Sequence, residues 1–204
     1  MEKFSWAREH IQVPSVIVYE ERDAREYLLL SEVSGFPASH PVFADRIPEL
    51  IALLAKGLQQ LHSIDISACP FDERIKSRTE AARRRVMLGL VDEGDFDDRR
   101  HGRSATDLFE ELLSTMPSEE ELVFTHGDYC LPNIIVDPEL KQINGFIDVG
   151  RAGIADRYQD LALASRSLAH NFGEEWSDML FSMYGLATPD RSKLEFYQLL
   201  DEFF

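Results

Sequence analysis

Helical periodicity governs most of this chain but stops between residues 122 and 148, and that interruption constrains the fold more than any other segment. Three short apolar runs, 122–124, 133–136 and 143–147, read as strands, the last two joined by a turn at Asp137-Pro138-Glu139-Leu140. Between the first two runs lies Thr125-His126-Gly127-Asp128-Tyr129-Cys130-Leu131-Pro132-Asn133. The third run closes on Phe146-Ile147-Asp148-Val149-Gly150-Arg151. The spacing is H-x-D-x-x-x-x-N and then I-D-x-G, with the second aspartate 20 residues after the first.

Transfer of a phosphoryl group from a nucleotide needs a carboxylate to accept or orient the hydroxyl proton. It also needs oxygen ligands for the magnesium ions that neutralise the phosphates. Asp128, at the end of a strand, fits the base; Asn133 offers an amide oxygen and Asp148 a carboxylate to Mg²⁺. Hard oxygen donors suit magnesium better than zinc. His126, two residues before Asp128 in an extended segment, points to the same side and is expected to brace the loop through hydrogen bonds. A His-Gly-Asp turn alone is an ordinary tight bend. The asparagine at +5 and a second aspartate closing an apolar strand before glycine set this pattern apart.

The rest of the chain is mainly helical. Ile47, Leu50, Ile51, Leu54, Leu58 and Leu61 form one stripe at helical spacing. Further helices are expected over 72–88, 105–116 behind a Ser104 cap, 158–170 and 174–184. The last, over 193–204, follows Ser192 with Glu195 three residues on, the spacing of a capping box. The opening residues 1–10 read as the tail of a helix that Pro14 ends. Strand-like runs at 15–19 and 27–30 suit an antiparallel pair joined by a charged loop over 20–26. Gly35-Phe36-Pro37 is the expected boundary between these strands and the helical body. Met87, Met116, Met179 and Met183 read as core, and Arg83-Arg84-Arg85 as a solvated helix face.

Composition narrows the partners. The 204 residues carry 21 Lys+Arg against 37 Asp+Glu, a net charge of −16, which disfavours a phosphate backbone or an anionic membrane surface and favours a cationic ligand. No stretch is long and apolar enough for a membrane helix, the N-terminus has no signal-peptide pattern, and a cytoplasmic location is expected. Cys69 and Cys130 stand 61 positions apart without metal-ligand spacing and read as reduced thiols.

The segment 125–151, together with Ala155-Asp156-Arg157-Tyr158-Gln159-Asp160, Leu61-His62-Ser63-Ile64-Asp65, Cys69-Pro70-Phe71-Asp72 and the terminal Leu199-Leu200-Asp201-Glu202-Phe203-Phe204, resembles the aminoglycoside 3'-phosphotransferases. The resemblance runs over essentially the whole chain. It implies an α+β, protein-kinase-like fold: a remnant of the nucleotide-binding β-lobe with its hinge in 1–35, and a mainly helical catalytic and substrate-binding lobe with a small β-insert in 36–204. It implies ATP and Mg²⁺ as cofactors and a polycationic aminoglycoside as substrate, with Asp128 as proton acceptor and Asn133 and Asp148 as metal ligands. Backbone groups of Ser31 and Val33 would hold the adenine. Asp95, Asp97 and Asp98 would form an acidic substrate loop, and Asp201, Glu202 and the Phe204 carboxylate would meet the sugar amines. Arg151 and Arg166 match positions near the substrate; their plain alternative is a salt bridge orienting nearby carboxylates. His170 stands where the family often has glutamate, which removes one ammonium contact.

The family's phosphate loop and strand lysine have no counterpart in these residues, so the chain looks like a member that starts inside the third structural element. Such a chain is expected to be inactive or nearly so, and its exposed strand edge to favour self-association. Two alternatives stay open: a non-catalytic aminoglycoside-binding fragment, and a kinase for another small cationic alcohol such as choline.

Overall fold

The structure, a computed structural model, describes residues 2–23 and 25–204. It opens with α1 (Glu2–Ala7), then the antiparallel strands β1 (Val16–Arg22) and β2 (Arg25–Leu30), and a short β3 (Phe36–Pro37). Three helices follow: α2 (Ile47–His62), α3 (Ile75–Met87) and α4 (Ala105–Ser114). The strands β4 (Leu122–Thr125), β5 (Ile134–Val136), β6 (Ile143–Phe146) and β7 (Gly153–Asp156) come next. The chain finishes with α5 (Tyr158–Phe172), α6 (Ser177–Tyr184) and α7 (Arg191–Asp201). The architecture is α+β, as the sequence implies, and among the described residues no helix is long and apolar enough to cross a membrane.

The predicted stripe on α2 is buried in full, each large side chain contributing roughly 1.5–3 kcal/mol of transfer free energy. α2 packs on α6, and α5, whose first eleven residues are nearly all buried, packs on α7. Two small antiparallel sheets sit on this helical body, β3-β5-β6 and β4-β7. Between them run the two segments that carry the motif. α1 packs on the same body: Trp6 lies against Phe71 and Phe124, and Lys3 pairs with Glu73.

Several boundaries differ from expectation. β1 and β2 continue through the charged stretch, pairing Glu20 with Tyr27 and Arg22 with Arg25, because both faces of this ribbon meet solvent and tolerate charge. Its apolar side chains are exposed too, Ile17 by 59% and Leu29 by 54%. At the expected boundary, Phe36 and Pro37 form a short strand that pairs with Val136 and Ile135. The cap of α7 is Asp190, whose carboxylate accepts from the Ser192 and Lys193 amides and from the Ser192 hydroxyl. An ionised carboxylate outcompetes the hydroxyl expected to cap there. Ser104 caps α4 as expected. Met87, Met116 and Met183 are exposed rather than core: Met87 ends α3, Met116 lies beyond the end of α4, and Met183 falls on the solvent side of α6.

Candidate active site

The loop expected to be catalytic hangs from α5. Asp160, fully buried with His62 Nε2 3.3 Å from its carboxylate, accepts from the backbone N–H of His126 at 2.8 Å and of Gly127 at 2.9 Å, one on each carboxylate oxygen. Gln159 donates to the Gly127 carbonyl, and the Thr125 hydroxyl to Gly153 of the neighbouring strand. Gly127 has φ +83°, a conformation that favours glycine. Four polar contacts thus fix the chain just ahead of Asp128.

His126 is the brace expected of it. Its Nδ1 accepts from the Asp128 amide at 3.3 Å and its Nε2 faces the Ile147 carbonyl at 3.0 Å, which assigns the proton to Nε2. Full burial outweighs the nearby carboxylates and pulls the imidazole pKa down, keeping the ring neutral. One side chain therefore ties the Asp128 loop to the strand end that delivers Asp148.

Asn133 turns its amide nitrogen toward Asp128, donating to the carbonyl at 3.0 Å and to Oδ2 at 3.1 Å. Its amide oxygen has no protein donor among the described residues. The Ile147 amide donates to the Asn133 carbonyl at 2.9 Å, so the residue before Asp148 is joined to the other expected metal ligand. Asp148 is exposed, adopts the left-handed conformation at φ 57° and ψ 48°, and makes no side-chain hydrogen bond among the described residues. A non-glycine residue held there stores strain of about 1 kcal/mol or more. Two unspent hard-oxygen groups fit Mg²⁺. Among the described residues no group of three His, Cys, Asp or Glu makes a closed cage, so phosphate oxygens and water would have to complete the coordination.

Cys130 lies beside Asp128, and burial together with that carboxylate drives its thiol pKa far up; both cysteines are free. The segment that holds Ser31 and Val33 is fixed to the same hairpin: Asn144 donates to the Ser34 carbonyl, and Val33 packs on Gly145. Ser31 gives its amide to Ser15. Its carbonyl and the Val33 amide have no hydrogen-bond partner among the described residues.

The acidic loop and the tail meet, largely through arginines. Arg151 and Arg166 both pair with Asp201. Glu202 is buried between Arg100 and Arg166, each at 3.2 Å, and its other oxygen accepts from the Asp97 amide. Asp97 pairs with Arg100. Asp95 and Asp98 make no ion pair among the described residues. A cavity of about 350 Å³ separates loop from tail, lined by Asp92, Asp95, Asp97, Asp201, Glu202 and Phe204, with Arg85, Arg151 and Arg166 between them. Across Asp97 and Arg166 a second cavity of about 560 Å³ holds His170 among Asp98, Glu174, Asp178 and Glu195. The Arg151 backbone, packed on Gly127, joins this region to the catalytic loop.

The model of the phosphotransferase enzyme family matches residues 2–197. The chain belongs to that family. It is 38% identical to an aminoglycoside 3'-phosphotransferase from Niallia circulans, covering 100% of this chain and 77% of the relative. One from Streptomyces fradiae is also 38% identical, covering 100% and 78%. Among solved structures, an aminoglycoside-3'-phosphotransferase of type VIII superposes with a TM-score of 0.92 at 38% identity, over 100% of this chain and 78% of that one. A Streptomyces rimosus aminoglycoside phosphotransferase in complex with ADP and streptomycin gives 0.85 at 29% identity, over 99% and 79%. A choline/ethanolamine kinase family protein from Mesorhizobium loti, at 16% identity and TM-score 0.59, shares the fold alone. This phosphotransferase is therefore a kinase-like enzyme by descent.

Sequence reasoning assigned no role to Asp160, Arg78, Arg85 or Arg100. The available signal for Asp160 was the one carboxylate of its helix, set on the buried first turn. Arg85 and Arg100 gave none, since the contacts that tie them to the tail, to Phe203 and Glu202, lie more than 100 residues along the chain.

Proposed function

We propose that this phosphotransferase transfers the γ-phosphoryl group of Mg-ATP to a hydroxyl of an aminoglycoside, the activity that confers resistance to such antibiotics. The observation that carries the reading is the oriented pair Asp128–Asn133 beside a carboxylate-lined cavity, in a chain of net charge −16. Mg-ATP supplies the phosphoryl group and the charge neutralisation. Asp128 accepts the hydroxyl proton, with its carboxylate held by the Asn133 amide. Asn133 and Asp148 offer oxygen to magnesium, and the Ser31 carbonyl and Val33 amide take the adenine edge. Ammonium groups are drawn by Asp95, Asp98 and the Phe204 carboxylate, while Asp97, Asp201 and Glu202, braced by Arg100, Arg151 and Arg166, shape the wall. Residues 1–35 serve as the nucleotide side and 36–204 as the catalytic and substrate side, in a cytoplasmic enzyme.

Calorimetry separates this from its competitors. Kanamycin is expected to bind with an affinity that falls steeply with salt, choline weakly or not at all, and Mg-ADP to bind measurably. Kanamycin binding without nucleotide binding would make the chain a non-catalytic binder. Choline binding above kanamycin would redirect the substrate class.

A further inference from the structure

Arg85 is the third residue of the triplet that sequence alone reads as a solvated face, yet only Arg83 and Arg84 are exposed. Its Nε donates to the carbonyl of Phe203, 118 residues away, and its Nη2 to the carbonyl of Leu90 at 2.8 Å. The Leu90 amide returns a bond to the Arg85 carbonyl at 2.9 Å, so the chain leading into the acidic loop is tied to this residue twice. Arg85 makes no ion pair among the described residues, although it lines the cavity that holds Asp92, Asp95, Asp97, Asp201 and Glu202. Its directed bonds go to neutral carbonyls on the two segments that form the opposite walls.

A second clasp between those walls works differently. Arg100 joins Asp97 to Glu202 and occupies carboxylates in doing so. Arg85 holds the backbone next to the terminal residue and leaves the carboxylates of the cavity free. The Phe204 ring is held in the same region, with the Arg78 guanidinium 3.5 Å from its centroid and those of Arg151 and Arg85 at 5.7 and 5.8 Å. Arg78 is buried, with one nitrogen lacking any hydrogen-bond partner, so its hold on the ring is by stacking rather than by directed bonds to the tail.

We infer that Arg85 is a positioning residue for the substrate: it sets the spacing between the acidic loop and the C-terminal tail, and thereby aims the Phe204 carboxylate at a ligand ammonium. This rests on the aminoglycoside reading above.

The sign of one measurement tests it. A cation in a cavity that binds cations repels them, so if Arg85 acted only as a charge, Arg85→Ala would tighten kanamycin binding. If it positions the tail, Arg85→Ala weakens binding despite that relief. The expected result by calorimetry on the full chain is about tenfold weaker kanamycin binding for Arg85→Ala, with Arg85→Lys in between because an ammonium reaches one carbonyl and not both. Hydrogen exchange without ligand should rise in 90–98 and 199–204 and stay unchanged in α2. Equal or tighter binding by Arg85→Ala, or exchange rising evenly through the molecule, would overturn the inference. Failure of the unsubstituted chain to bind kanamycin would overturn the aminoglycoside reading and this inference with it.

Discussion

A β-carbon on residue 127 would stand 2.1 Å from the Arg151 carbonyl oxygen, on a backbone already at φ +83°. Gly127→Ala must therefore move a backbone segment that carries both the catalytic loop and the substrate wall, and is expected to cost about 3 kcal/mol, read as a lower urea midpoint. An unchanged midpoint would contradict the packing. His126 adds a pH dependence. Its pKa lies below the ordinary 6.5, so the unfolded chain takes up this proton at a higher pH than the folded one. Its contribution to stability is complete above that value and is lost as pH falls through the window beneath it. Nitrogen-resolved NMR of the native protein should show this ring taking up its proton at a lower pH than an unperturbed imidazole, with the neutral form protonated on Nε2; a ring that charges at the ordinary pH or above would contradict the brace. These local features were legible because glycine, histidine and aspartate announce themselves within four positions. Asp160 was not, since its partners at 126 and 127 become neighbours only after folding.

Elements whose side chains repeat were legible and those without a repeat were not. Six residues at helical spacing placed α2 to within one residue, whereas β3 has only two residues and β7, Gly153-Ile154-Ala155-Asp156, offers a single large apolar side chain. β7 exists because β4 needs a partner, and Phe36-Pro37 pairs because β5 offers an edge. The start of α7 turned on chemistry rather than spacing: the Ser-x-x-Glu signature was present, but Asp190 stands two residues earlier with a stronger acceptor. Asp190→Ala is accordingly expected to destabilise by about 1 kcal/mol in urea unfolding, and Ser192→Ala by only a few tenths. The reverse order would restore the capping box. α7 matters beyond its own stability, because it carries Asp201 and the tail to the substrate wall.

At the scale of the whole molecule, charge is arranged rather than merely abundant. A surplus of 16 negative charges made a cationic ligand the natural reading, but not that five of the carboxylates would gather around one cavity, or that Arg100, Arg151 and Arg166 would hold three of them in place. Those pairings span 3 to 102 residues, and only the long-range ones define the cavity. Transfer itself is tested most directly by following labelled phosphate from γ-labelled Mg-ATP to kanamycin, with the native chain and with Asp128→Asn. Slow accumulation of labelled kanamycin by the native chain and none above background by the variant is the expected result. Equal labelling by both, or none by either while kanamycin and nucleotide both bind, would contradict it.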